Sequence, residues 1–274
     1  MDKGSATVID NERCLTRDVK RQSVQTGGDS GTELESLGVA TKTGALWLWH
    51  PPRTAGGLAM ASPNRFLVRT IVEWRGADEN YDPISWKQRL EICIGLLRAL
   101  HYLHTGAKFV LIHRDVSSKN ILLDNQWTSK LCNFGFCKRG PLSLLRGIVS
   151  IEVESDITYT FACLDPKVVI TSRVSDKSDV CSFGVVLFEV MCRRRVFDAE
   201  LEMDRRILYH WACKCIENGQ IYSIIDPYLK GKIAQPCLKK FLEIAYGCVQ
   251  FEVNKRPTMG EVEATLNGEY KSAR

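Results

Sequence analysis

The clearest periodicity in the chain begins at Ser85. Leu90, Ile94, Leu97, Leu100 and Leu103 recur at three- and four-residue steps, the spacing that lines one face of a helix with apolar side chains. Ser85-Trp86-Lys87-Gln88 precedes them. A Ser followed three residues later by Gln is a capping box, able to satisfy two orphan N–H groups at a helix start. An amphipathic helix of about 19 residues, running to His104, is predicted. The second pattern differs in kind. Between Asp176 and Cys192, the run Phe183-Gly184-Val185-Val186-Leu187-Phe188-Glu189-Val190-Met191 is apolar nearly all round, as in helices buried within a core. Further helices are predicted over 203–218, 236–251 and 258–267, the last opened by Pro257-Thr258. Ile121-Leu122-Leu123 and Ser129-Lys130-Leu131 flank Asp124-Asn125 and predict a short hairpin. Residues 136–174 carry no sustained period and read as a long surface loop.

Upstream of Ser85 the texture changes. Residues 1–64 are rich in Gly, Ser, Thr and charge, broken by Gly27-Gly28, Pro51-Pro52 and Gly56-Gly57, and an irregular segment is expected there. Phe66 to Val72 is β-rich, so 65–84 is expected to hold a strand and a connector, and 85–268 a helical unit.

Composition narrows the class. The 274 residues are 45% hydrophobic and 25% charged, as in an ordinary soluble globular protein. The net charge of +5 is mild and its basic residues are interspersed with acids, which argues against a nucleic-acid partner. Arg193-Arg194-Arg195 reads as a surface turn after the buried helix. The eleven cysteines are odd in number, scattered and free of any C-x-x-C pair, so they read as reduced thiols of a cytoplasmic protein rather than a disulfide framework. Cys213-x-Cys215 with His210 nearby has poor metal-ligand spacing and no second ligand pair. The N-terminus lacks a signal-peptide core, and no apolar stretch approaches the roughly 18–20 residues that span a membrane.

The chemistry is concentrated in two short motifs. Residues 113–124 read H-R-D-V-S-S-K-N-I-L-L-D, and Asn133-Phe134-Gly135 lies downstream. This is the layout of a protein-kinase catalytic loop and its magnesium motif. From about 85 to 268 the segments S-W-K-Q-R-L, L-H-Y-L-H-T-G, L-D-P, K-S-D-V-C-S-F-G-V-V-L-F-E-V and N-K-R-P-T-M also fall in family order. The chain resembles the C-terminal lobe of a plant receptor-like protein kinase of the Pelle-like Ser/Thr family. The resemblance implies an α+β protein-kinase-like fold, here predominantly the α-helical C-terminal lobe, with ATP and Mg²⁺ as cofactors. It places Asp115 at the substrate-proton acceptor position, Asn120 and Asn133 at the two metal positions, and Arg114 where a phosphorylated activation-loop residue would pair. Asp179 takes the position of a buried carboxylate that bonds the loop backbone, and His113, Phe134 and Gly135 are structural positions beside it.

Several positions depart from the family pattern. Asn133 stands where the family has Asp, and a neutral amide oxygen is a poor ligand for a hard dication. Ser117 replaces a Lys that contacts the transferring phosphate; Lys119, two residues on, need not point the same way. Lys167 replaces a Glu that would form a buried pair with Arg256, so Arg256 is expected to lose its partner and the segment to be loosely anchored. Tyr159 and Ala162 stand where Gly is preferred. No G-x-G-x-x-G or V-A-I-K-like strand precedes residue 85, and neither Lys20 nor Lys42 fits the phosphate-binding Lys. Most of the small lobe is therefore expected to be missing, leaving apolar surface for a protein partner. Ser143, Ser150, Ser155, Thr158 and Thr160 are candidate phospho-acceptors. Three functions remain open: an impaired pseudokinase acting as an interaction module, associated through partners with membrane receptor kinases; an active Ser/Thr kinase; and a truncated product without function.

Overall fold

Helix α1 (Trp86–His101) starts on the capping box, with the Ser85 side chain accepting from the Gln88 N–H and Gln88 Oε1 accepting from the Ser85 N–H at 3.0 Å. The chain then widens into a π-type turn, Tyr102–Gly106, instead of stopping at His104. Thr105 Oγ1 donates to the His101 carbonyl at 2.7 Å, and Gly106 lies so close to the Tyr102 ring that a Cβ would come within 2.5 Å of it. The wide turn thus depends on a residue without a side chain.

The computed structural model describes residues 69–70, 83–107, 109–124, 127–142, 150–152 and 163–272. Residues 1–64, the flanks of the 66–72 strand, Tyr159, Ala162 and four of the candidate acceptors (Ser143, Ser155, Thr158, Thr160) lie outside them. Strand β1 (Arg69–Thr70) pairs with β3 (Ile121–Leu123), which pairs with β4 (Ser129–Leu131), both antiparallel. The Asp124-centred hairpin is therefore present, extended by one short strand. β2 (Phe109–Ile112) pairs with β5 (Lys138–Leu142), and β6 (Ser150–Glu152) with β7 (Arg173–Ser175). The remaining helices are α2 (Pro166–Thr171), α3 (Asp176–Cys192), α4 (Leu208–Glu217), α5 (Ile221–Ile224), α6 (Gln235–Cys248) and α7 (Met259–Ser272).

Stretch 136–174 thus differs from the expected loop: within it lie β5, β6, α2 and most of β7. Each is five or six residues at most, too short for a period to emerge from sequence, and each is fixed by a partner distant in the chain. Ser150 falls in β6, paired opposite Ser175.

Helix α3 is the buried axis. Fifteen of its residues are buried, including Phe183, Leu187, Phe188 and Met191, and α1, α4 and α6 pack around it. The approach of α6 is close at Gly184, where a Cβ would come 2.6 Å from the Cβ of Cys248. Trp86 meets Phe241 edge-on at 5.0 Å, tying α1 to α6. The Arg89 guanidinium lies wholly inside this core, donating to the carbonyls of Ile84 and Val190 and to the Asp226 carboxylate. Taking a cation out of water is costly, and these acceptors are what make its burial tolerable.

Arg256 corrects the expectation built on Lys167. It is 2% exposed and keeps a partner, because Asp165 binds it through both oxygens, at 2.6 and 2.7 Å. Burial draws the Arg256 pKa down, but the Asp165 bonds outweigh it and the group stands above its ordinary value. Asp165 also accepts the Lys167 N–H at 2.9 Å as the N-cap of α2. Lys167 turns away and sets its ammonium 4.4 Å over the Phe251 ring, so no like charges meet. A carboxylate two residues upstream has taken the place of the missing Glu.

Denaturant unfolding should separate these roles. Asp165→Ala should cost about 3–5 kcal/mol, since it strands a buried guanidinium, whereas Lys167→Glu should change stability by less than about 1 kcal/mol. Asp226→Ala should likewise cost about 3–5 kcal/mol by stranding Arg89.

Candidate active site

Strand β2 delivers the chain into the loop at His113, and a 3₁₀ turn, Ser118–Asn120, returns it to β3. Between them the backbone is held from below by the first turn of α3. Asp179, 1% exposed, accepts the His113 N–H on Oδ2 at 2.7 Å and the Arg114 N–H on Oδ1 at 2.8 Å. Arg114 has φ 71°, a left-handed conformation that disfavours side chains other than Gly. Two charge-assisted bonds to one carboxylate offset that strain. Asp179 Oδ2 also lies 3.0 Å from Nε2 of buried His104. Lower in the core, Ser118 Oγ donates to Glu189 Oε1 at 3.0 Å.

The imidazole of His113 is fully buried, and burial pushes its pKa below the ordinary histidine value. Its bonds fit a neutral ring: Nε2 donates to the Cys132 carbonyl at 3.0 Å, and Nδ1 accepts the Asp115 N–H at 3.3 Å. Phe134 packs edge-on against it, centroids 4.8 Å apart. The ring therefore ties the two motifs together through a bond to Asp115, a bond to Cys132 just before Asn133, and an apolar contact with Phe134.

Above this base sits the candidate catalytic cluster. Asp115 is 7% exposed. Asn120 Nδ2 donates to the Asp115 carbonyl at 2.7 Å and to Ser117 Oγ at 3.3 Å, which leaves Asn120 Oδ1 as its acceptor. Asn133 adopts the left-handed conformation (φ 67°, ψ 58°), which Asn tolerates better than most residues, and its Nδ2 donates to Asp115 Oδ2 at 2.9 Å. Lys119 Nζ stands 3.9 Å from Asp115 Oδ1 and is about half exposed. It does reach the carboxylate, through an i,i+4 relation that its position in the sequence left undecided. Arg114 Nη1 donates to the Phe136 carbonyl at 3.1 Å, so it braces the chain after the second motif.

The structure thus gathers His113, Arg114, Asp115, Ser117, Asn120, Asn133, Phe134, Gly135 and Asp179 around one loop. Lys167 and Arg256 belong to the separate Asp165 knot, reached across a narrow cleft lined by Arg114, Asp165, Val168 and Asp179. Glu189, Ser118 and His104 are not legible as site residues in the sequence; a lone acid within the apolar run 183–191 is the signal that points to Glu189. The oxygen-bearing side chains of the cluster are one carboxylate, bonded by an amide and 3.9 Å from an ammonium, two neutral amides and the Ser117 hydroxyl. Beside it, burial pushes the Cys132 thiol up to about 11, which leaves it protonated. Among the described residues no group of three His, Cys, Asp or Glu side chains could hold a metal, the surroundings of Cys213 included, and no helix is long and apolar enough to cross a membrane.

Comparison with known proteins identifies the family. The family model of the protein kinase domain matches residues 63–267. The chain is 47% identical over 179 residues to the receptor-like protein kinase FERONIA of Arabidopsis thaliana, covering 65% of this chain and 19% of that protein. It is 48% identical to ANXUR2 of the same plant, covering 65% and 20%. With HERK 1 it shares 43% over 197 residues, covering 68% and 23%. The chain spans about a fifth of the length of the curated relatives it matches. It belongs to the protein kinase family, among the plant receptor-like Ser/Thr kinases.

Proposed function

We propose that this chain is a receptor-like kinase homologue with strongly impaired phosphoryl transfer, acting as a protein-interaction module through its helical lobe at 85–268. The observation that carries the reading is the Asn133 amide, which donates to Asp115 Oδ2 at 2.9 Å. A carboxylate at position 133 could make no such bond, because two ionised carboxylates repel. The amide turns its donor to Asp115 and keeps only a neutral oxygen to offer a cation. Magnesium in this family's reaction is bound by anionic oxygen and neutralises charge on the phosphates. The donor set here does not fit that ion.

The other residues of the cluster support the same reading. Asp115 holds the proton-acceptor position, but its Oδ2 is occupied by Asn133 and its Oδ1 faces Lys119. Ser117 is 2% exposed and bonded to Asn120, so it offers a substrate phosphate no charge. Losing one preorganised electrostatic contact typically lowers a rate by about 10²–10³, and the losses at 117 and 133 compound. ATP would have weak purchase on such a site. The partner is a protein, met in the cytoplasm or at the cytoplasmic face of a membrane beside receptor kinases of the same family.

The decisive measurement is phosphate transfer to a generic protein substrate with millimolar ATP and Mg²⁺, alongside thermal unfolding with and without both. No turnover above the Asp115→Asn background and no rise in melting temperature are expected. Turnover that Asp115→Asn abolishes would overturn the proposal in favour of an active Ser/Thr kinase.

A further inference from the structure

Asp115 accepts the Asn133 amide at 2.9 Å on Oδ2, and the half-exposed Lys119 ammonium stands 3.9 Å from Oδ1, an ion-pair separation. Burying a carboxylate is costly unless its charge is compensated. Where position 133 carries a carboxylate, a dication held there and at position 120 would supply positive charge beside Asp115. Here the protein supplies it from its own side chains.

Asn133 also sets the path of the residues after it, because it opens the 3₁₀ turn Phe134–Phe136. Phe134 then packs on His113, and the Phe136 carbonyl takes the Arg114 guanidinium. The next residues enter β5, where Lys138 pairs opposite Ile112 on the strand that leads into His113. The segment from 133 to 142 therefore forms a closed circuit with 109–115, and the Asn133–Asp115 bond is the side-chain link at its mouth.

We propose that Asn133 is a positioning residue that takes over the ordering role of a divalent cation, so that the catalytic loop and residues 133–142 are held closed in the complete absence of metal. The proposal rests on the impaired-kinase reading but concerns order, not turnover. It makes the wild-type loop indifferent to Mg²⁺, and it makes that indifference a property of one amide nitrogen.

Hydrogen exchange of the full chain tests it, comparing amides 113–120 and 133–142 in EDTA and in millimolar Mg²⁺. The buried helix 176–192 reports whether each variant remains folded. Wild type should give the same protection in both solutions. Asn133→Asp, an isostere that also tolerates the left-handed backbone, sets two carboxylates together. It should exchange about tenfold faster in EDTA and recover protection when Mg²⁺ is added. Asn133→Gly removes the amide without a backbone penalty and should exchange faster in both solutions. Wild-type protection that rises with Mg²⁺, or an Asn133→Asp variant as protected in EDTA as wild type, would overturn the proposal. Phosphotransfer by the wild-type chain would overturn the impaired-kinase reading while leaving these exchange patterns to stand or fall separately.

Discussion

Asp179 is a buried carboxylate near the start of the helix that forms the core's axis, and the loop above it is held by its bonds. Its two oxygens accept consecutive backbone N–H groups from His113 and Arg114, and it sits in the first turn of α3, where the helix dipole favours negative charge. That arrangement lets Arg114 hold a left-handed backbone and turns Asp115 upward, away from the core. His113 is buried as a neutral ring in consequence, and through it the second motif is registered against the first. The backbone of His113 and Arg114, and through the His113 ring the second motif, is held from this one anchor.

The same economy of charge appears twice more in the lobe. Arg89 with Asp226, and Arg256 with Asp165, are guanidinium–carboxylate pairs closed off from water. Their pKa directions differ: at Arg89 burial prevails and lowers the value, while at Arg256 the bidentate Asp165 bonds prevail and raise it. The second pair shows how a substitution that reads as ruinous can be absorbed. Lys167 occupies a position where opposite charge is the family pattern, yet its ammonium lies on Phe251 and Asp165 serves both Arg256 and the α2 N-terminus. The scaffold has kept its electrostatic pairing, whereas at position 133 an amide stands in place of the family's carboxylate. Asp115 is instead bound from within the protein.

Helices α1, α3, α4, α6 and α7 could be read from periodicity and capping, because each buries a face long enough to repeat. The catalytic-loop positions could be read because their spacing is fixed by chemistry. Strands β5, β6 and β7 and helix α2 could not, since a segment of three to six residues has no period and owes its form to a distant partner. Glu189 and Ser118 were hidden for a related reason, because their pairing joins positions 71 residues apart.

The sequence by itself determined the family, the buried helix and the identity of each altered group, because residue type and spacing are local properties. What each altered group does was decided only in three dimensions. Lys167 and Asn133 are both exchanges of charge at family positions and look equally damaging in one dimension. Tertiary structure brings Asp165 to Arg256, so the first is neutralised, and brings the Asn133 amide to Asp115, so the second closes on the site. Electrostatic energy depends on distance and burial, and neither is written in the order of residues.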